Sequence, residues 1–282
     1  MSIITIVSGA TSGIGYETAL QLAKLDHEIY MICRNPEKAE RVRDDIQKIS
    51  GNDKIFYEIA DLSSQSEIRQ ASANILDKTD RVDRLINNAG IWSSKREITA
   101  DSAEKVFAVN HLSFFLLAHC LYSGLKKSED ARVINVSSDA HFKSKMFFDD
   151  LSLEKNYHGL RSYAQSKLAN VLFTYEFDRR NTDANVTINA VQPGLVKTDI
   201  GVKDTNWFHA LAWKIRRSGG VSPKEGASTS VLLASSQSVK GLSGQYWDSL
   251  RPKESSKRSY NESDAKKLWE ISMQMCGIDE YF

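Results

Sequence analysis

The chain has 282 residues, enough for one sizeable core, with 41% hydrophobic and 26% charged residues. Lysine plus arginine (37) nearly equals aspartate plus glutamate (36), and the net charge of +1 gives no electrostatic reason to expect a nucleic acid or an anionic membrane as partner. Cys33, Cys120 and Cys276 are widely spaced with no CxxC pair, so free thiols in a reducing compartment are expected, and neither a zinc site nor a disulfide framework.

The sequence opens almost at once on a β-branched run at 3–7, with no basic-then-apolar leader, so no signal peptide is expected. Residues 13–25 then read as a helix, 28–33 as a strand, and 36–49 as a charged amphipathic helix with proline in its first turn. A strand is expected at 55–59, a helix at 65–78 and a strand at 82–86. One long helix is expected over 102–125, a strand over 132–136, a helix over 159–180 and a strand over 186–191. Two further helices are expected at 207–216 and 223–234. A polar loop comes next at 251–264, and a last helix at 265–275. Strands that are near-continuous apolar runs, alternating with helices, predict an α/β fold: a doubly wound parallel sheet with helices on both faces. No stretch is long and apolar enough to span a bilayer, so a cytoplasmic protein is expected.

Residues 8–15, SGATSGIG, lie between the first strand and first helix. Glycine permits the tight turn and lets the backbone approach a ligand, and the helix behind it points free amides at an anion. A pyrophosphate fits there, against Gly9, Ser12, Gly13, Ile14 and Gly15; a purely structural turn is the alternative. The spacing G-x3-G-x-G, together with NNAG at 87–90, resembles the short-chain dehydrogenase/reductase family, which usually has threonine where this chain has Ser8. The resemblance spans nearly the whole chain and implies a single-domain Rossmann fold over 1–282.

The second strand of such a fold ends at the adenine ribose, where an acid selects NAD. Here Cys33 stands at the acid's place and Arg34 comes next, and a guanidinium bonds a phosphate bidentately, so NADP (NADPH) is expected. The resemblance places Asp61 and Leu62 beside the adenine. Asn88, Ala89 and Gly90 end the fourth strand, where small residues leave room for the ribose.

The fifth strand ends in RVINVSSDAH and offers Ser138 to the crevice beyond the strand ends. Tyr163 and Lys167, four residues apart in SYAQSKLANVLF, share one helix face. A free phenol titrates near ~10, and a nearby ammonium is expected to pull it toward working pH. Tyr163 then serves as the proton donor and acceptor at a carbonyl oxygen, with Ser138 bonded to the same oxygen and Lys167 also holding the nicotinamide ribose. The resemblance makes Asn110 the fourth member, holding a water-linked proton path; His111 reads as packing and His141 as part of a substrate loop. Pro193 and Gly194 fix a turn in QPGLVKTD, and the resemblance assigns Val196 and Thr198 to the nicotinamide carboxamide, with a helix-capping Thr198 as the plain alternative. Regions near 139–160 and 199–220 are expected to shape the substrate pocket, with Trp207, Phe208 and Trp213 lining or packing the second of them.

The long gap between Ser138 and Tyr163, with VSSDAH, SKLANVLF and GGVSPKEGA, resembles the branch of retinol dehydrogenases and related carbonyl reductases. The resemblance implies an NADP(H)-dependent oxidoreductase interconverting a small-molecule alcohol with an aldehyde or ketone, without a metal. Family members often pair through the two long helices beside the site, so a homodimer or homotetramer is expected. Two alternatives stand: an NADP(H)-sensing regulatory or scaffold protein, which has no need of the tyrosine, and a sugar-nucleotide epimerase or dehydratase, for which the chain after Thr198 is short.

Overall fold

A computed structural model describes residues 2–194, 196 and 220–282. Eight strands form one sheet in the order β3-β2-β1-β4-β5-β6-β7-β8. They are β1 (Ile4–Ser8), β2 (Glu28–Cys33), β3 (Ile55–Ile59), β4 (Arg84–Asn87), β5 (Ala131–Val136), β6 (Val186–Gln192), β7 (Gln245–Asp248) and β8 (Arg251–Lys253). All pairs are parallel except β7 with β8. The order reverses between β1 and β4, and the crevice at such a reversal is where ligands bind in open parallel sheets.

Successive strand residues face opposite sides, and two cores result. Ile6, Tyr30 and Ile32 face one, with α3 (Gln65–Lys78), α5 (Ser113–Cys120), α7 (Gly159–Arg180) and α9 (Glu262–Cys276). Val7, Ile29, Met31 and Cys33 face the other, with α1 (Gly13–Ala23), α2 (Pro36–Ser50) and α8 (Pro223–Ser235). The expected doubly wound α/β architecture is what the chain builds. No helix among the described residues is long and apolar enough to cross a membrane.

Several elements depart from the sequence expectation. The long helix at 102–125 starts later and is interrupted. Glu104 caps its first turn, α4 (Lys105–Phe107), accepting from Val106 N and Phe107 N; a π-helical turn (Ala108–Leu112) precedes α5, and a short α6 (Tyr122–Leu125) comes after it. The expected loop after residue 250 begins instead with the edge strand β8, paired to β7, a strand the sequence pattern does not announce. Four residues carry too little period-two pattern to signal a strand; pairing with β6 makes it one. Helix α9 begins at Glu262, three residues early, because Asn261 caps it through Asp264 N. The helix expected at 207–216 lies outside the described residues.

α9 and the chain end lie on the outer side of α7. Trp269, Tyr281 and Phe282 meet Phe173 and Phe177 there, and the Tyr281 hydroxyl donates to Phe115 O at 2.7 Å. The face of α7 that looks toward α9 is thus covered by the chain's own residues.

On the other face, Arg84 and Arg132, neighbours in register on β4 and β5, are buried. Arg132 donates to Leu233 O (2.9 Å) and Ser236 O (2.8 Å), and Arg84 to Ala234 O, so both cations meet the negative end of α8. Asp130 lies between them and bonds both. Burial and its neighbour Arg132 hold the Arg84 guanidinium down at about 10. Arg132→Met leaves Asp130 and the α8 carbonyls without this partner; a loss of about 3–5 kcal/mol in chemical denaturation is expected, and an unchanged midpoint would refute the bracing role.

Candidate active site

The turn between β1 and α1 is built for close approach. Gly9 has φ +70°, and a Cβ there would come within 2.9 Å of Ala89 Cα. A Cβ on Gly15 would run into Asn88 Nδ2 and Gly9 O. Ser8 ties this turn to the end of β4: its hydroxyl oxygen accepts from Asn88 N (3.0 Å) and Ala89 N (3.1 Å), while Asn88 Nδ2 donates to Ser8 O. Serine therefore suffices where the family usually has threonine. Ser12 stands at the N-cap of α1 without capping it through its side chain, and no acid occupies the first helical turn. Free amides, a free hydroxyl and the positive helix end together suit an anion such as a pyrophosphate.

Around this cradle, Arg34 is exposed directly after β2 and bonds to nothing among the described residues. Cys33 points into the core, and burial pushes its thiol up to about 12. Asp61 accepts from the amide and hydroxyl of Ser63 in a local turn, with buried Leu62 beside it. Gly90 ends the NNAG segment. Pro193 and Gly194 come directly after β6, Gly194 with φ +82°. Val196 bridges to Val221 and packs on Gly226 of α8, which also faces Ile14. The sequence expectations at Thr198, Trp207, Phe208 and Trp213 lie outside the described residues.

The reacting end lies past β5. Ser138 caps a 3₁₀ turn (Asp139–Lys143), accepting from Ala140 N at 3.2 Å, and donates to Asp139 Oδ1 at 3.2 Å. Its hydroxyl acts on the Tyr163 phenol in the direction that favours the phenolate. Lys167 is 2% exposed; its Nζ donates to Val136 O at 2.9 Å and lies 5.7 Å from the Tyr163 ring centroid. Asn110 sits in the π-helical turn. Its Oδ1 accepts from Ile91 N (2.8 Å), and its Nδ2 donates to Ile91 O and Ser166 Oγ (both 3.0 Å). Of the four side chains that the sequence singles out, Tyr163 and Lys167 lie together on α7 and Ser138 follows β5, while Asn110, in the π-helical turn, reaches α7 through Ser166 rather than through the other three.

The electrostatics differ from the sequence expectation. Burial pushes Tyr163 up to about 12; the Ser138 hydrogen bond opposes this and the Asp139 charge adds to it. Burial holds Lys167 down to about 7. A lysine that shares the phenol's dry surroundings is itself too poorly charged to acidify it strongly. The pair is a neutral phenol over an amine poised near neutrality.

Residues that the motifs do not mark fix this geometry. Asp139 is one, and an acid directly after the serine is the only local sign of it. Glu104 joins helix starts, accepting from Ser162 Oγ at 2.8 Å, one residue before Tyr163. His141, expected in a substrate loop, is fully buried: its Nδ1 donates to Ser138 O (2.6 Å) and its Nε2 accepts from Ser256 N (3.0 Å). His111 is also fully buried, its Nδ1 donating to Asn170 Oδ1 (3.3 Å) and its Nε2 accepting from Ser272 Oγ (3.0 Å); burial holds it down to about 4.

A nucleotide-type doubly wound sheet with Ser, Tyr and Lys at its carboxyl edge defines an oxidoreductase class, and the chain belongs to it: residues 3–208 match the short chain dehydrogenase family. Within that family it is retinol dehydrogenase-like. It is 38% identical to human retinol dehydrogenase 13 over 281 residues (97% of this chain, 84% of the relative). It is 36% identical to human retinol dehydrogenase 14 (97% of this chain, 86% of the relative). Among solved structures, an uncharacterized protein from Mycobacterium Paratuberculosis superposes with TM-score 0.78 at 28% identity (99% of this chain, 95% of that one). A short chain dehydrogenase from Escherichia coli CFT073, solved with NADPH, gives TM-score 0.70 at 21% identity (88% and 97%).

The Lys167 position yields a direct expectation. In protein labelled at lysine Cε, one resonance titrates near pH 7, well below the ordinary lysine value of about 10.4, and it disappears in Lys167→Met. Because protonating this amine is harder in the folded state, its cost to stability is full below pH 7 and fades as pH rises toward the unfolded value. Lys167→Met should therefore gain about 1 kcal/mol or more at pH 6 and less at pH 10 by denaturant titration. The reverse order would overturn the assignment.

Proposed function

We propose that the chain is an NADP(H)-dependent oxidoreductase interconverting an alcohol and an aldehyde or ketone. The observation that carries this reading is the placing of Tyr163 over buried Lys167, whose Nζ lies 5.7 Å from its ring, on the helix packed against the end of β5 that carries Ser138. The cofactor fit rests on the β1–α1 turn, where a Cβ on Gly9 or Gly15 would collide with the backbone that shapes the cradle. Gly9, Ser12, Gly13, Ile14 and Gly15 would hold the pyrophosphate. Arg34 would take a ribose phosphate; Asp61, Leu62, Asn88, Ala89 and Gly90 would flank the adenosine, and Pro193, Gly194, Val196 and Thr198 the carboxamide. The NADPH of the Escherichia coli neighbour and the NADP of its Shigella flexneri counterpart favour the phosphorylated form. When bound, the nicotinamide supplies or accepts the hydride.

The chain's own residues handle the proton. Tyr163, a neutral phenol, gives its proton to the carbonyl oxygen as the carbon is reduced. Ser138 donates a hydrogen bond to that oxygen as negative charge builds on it. Lys167, titrating near 7, returns the proton to Tyr163 from solvent. Asn110 fixes the route: its amide locks the segment at Ile91 to α7, and its backbone oxygen, which also accepts from Asn170 Nδ2, faces α7. The names of the relatives suggest retinol and retinal as the first substrates to assay.

Tyr163→Phe should lower carbonyl-dependent NADPH oxidation by about 10²–10⁴-fold while nucleotide affinity by calorimetry stays as in the parent; surviving turnover would sink the role of the phenol. Arg34→Asp should weaken NADPH at least about tenfold more than NADH, since only the former loses a charge-assisted contact; equal losses would remove Arg34 from the cofactor site. Alcohol oxidation, which needs the phenolate, should rise with pH toward the phenol's titration at about 12, whereas carbonyl reduction, which uses the phenol, should not.

A further inference from the structure

Asp139 is exposed at the mouth of the crevice, one residue past Ser138. It accepts the Ser138 hydroxyl proton at Oδ1, 3.2 Å away, and its own amide donates to Gln192 Oε1 at 3.2 Å, which anchors it to the end of β6. No lysine or arginine among the described residues pairs with its carboxylate. Its negative charge is felt by Tyr163, by His141 and by Tyr246. For a plain carbonyl substrate this placement is unfavourable twice over. The carboxylate competes for the hydroxyl that must bond the substrate oxygen, and it repels the charge developing there.

A substrate that brings its own positive donor reverses both effects. A serine hydroxyl reaches a carbonyl oxygen at about 2.7 Å, and Asp139 Oδ1 lies 3.2 Å from that same hydroxyl. The carboxylate is therefore close enough for a donor on the carbon adjacent to the reacting one. Engaging Asp139 there frees the Ser138 proton for the carbonyl, and the cation offsets the carboxylate's field as the oxyanion forms.

We propose that Asp139 is a specificity-determining residue that selects carbonyl substrates carrying an ammonium, and less strongly a hydroxyl, on the carbon beside the carbonyl. This rests on the oxidoreductase reading above and narrows its substrate class to vicinal amino or hydroxy ketones and aldehydes and their alcohols. An unadorned polyene aldehyde offers Asp139 nothing.

The test is NADPH-dependent reduction of three acetophenones bearing dimethylammonium, hydroxyl or methyl on the carbon beside the carbonyl. In the parent protein, kcat/KM should fall in that order, with the ammonium compound favoured over the methyl by about tenfold or more. Added salt should shrink this ratio. Asp139→Asn should bring it to within about twofold of unity, and Asp139→Lys should invert it. If these variants do not fold, raising the pH past the amine's own titration in the parent protein should abolish the preference, since the neutral amine no longer carries the charge. Turnover of all three ketones at one kcat/KM in the parent, or a ratio untouched in Asp139→Asn, overturns the proposal while leaving the oxidoreductase intact. Failure of every aldehyde and ketone to be reduced removes that reading and this one together.

Discussion

Helix α7 is buried along most of its length, and its polar residues have had to find partners inside the protein. A buried polar group without a hydrogen bond is costly, so each such pair fixes the helix's rotation and height. Asn170 Nδ2 donates to Asn110 O, Thr174 Oγ1 to Asn170 O, and Asn135 Nδ2 to Thr174 Oγ1. Asn87 Nδ2 extends the chain to Asn135 Oδ1, at the middle of the sheet. His111 and Ser272 continue it outward to α9. Tyr163 and Lys167 are carried on this helix, so their geometry is set by polar contacts made elsewhere along it.

The same burial decides the chemistry. It raises the phenol and lowers the amine, so neither is a permanent ion. Holding either group as a full ion in so dry a place would be penalised by the low-dielectric surroundings. The local balance is then left to Ser138, whose hydroxyl steadies the phenolate, and to Asp139, whose charge opposes it. Two adjacent residues at the end of β5 thus pull the Tyr163 phenol in opposite directions.

Much of the architecture is legible in the sequence because parallel strands buried on both faces are continuous apolar runs, and helix caps are local signals. The turn at Gly9–Gly15 and the pair Tyr163–Lys167 are legible because their spacing is short-range. Whatever depends on a distant partner is not. β7 is a strand only because β6 pairs with it, and the late start of the 102–125 helix reflects Glu104 turning back to cap α4 and reach Ser162. The acidity of Tyr163 is hidden for the same reason: spacing shows the nearby lysine but not the burial of both. His141 reads as a loop residue because nothing local shows that its two ring nitrogens join Ser138 to Ser256. The residues of the expected cover at 207–216 lie outside the described structure.

The aromatic clasp of Trp269, Tyr281 and Phe282 has a consequence for assembly. By laying α9 over α7, the chain covers one flank of that helix from within. A neighbour approaching from that side meets the outward residues of α9, where Glu262, Lys266, Glu270 and Gln274 are exposed, rather than the apolar ridge beneath. That side of α7 is thereby covered by the chain's own residues.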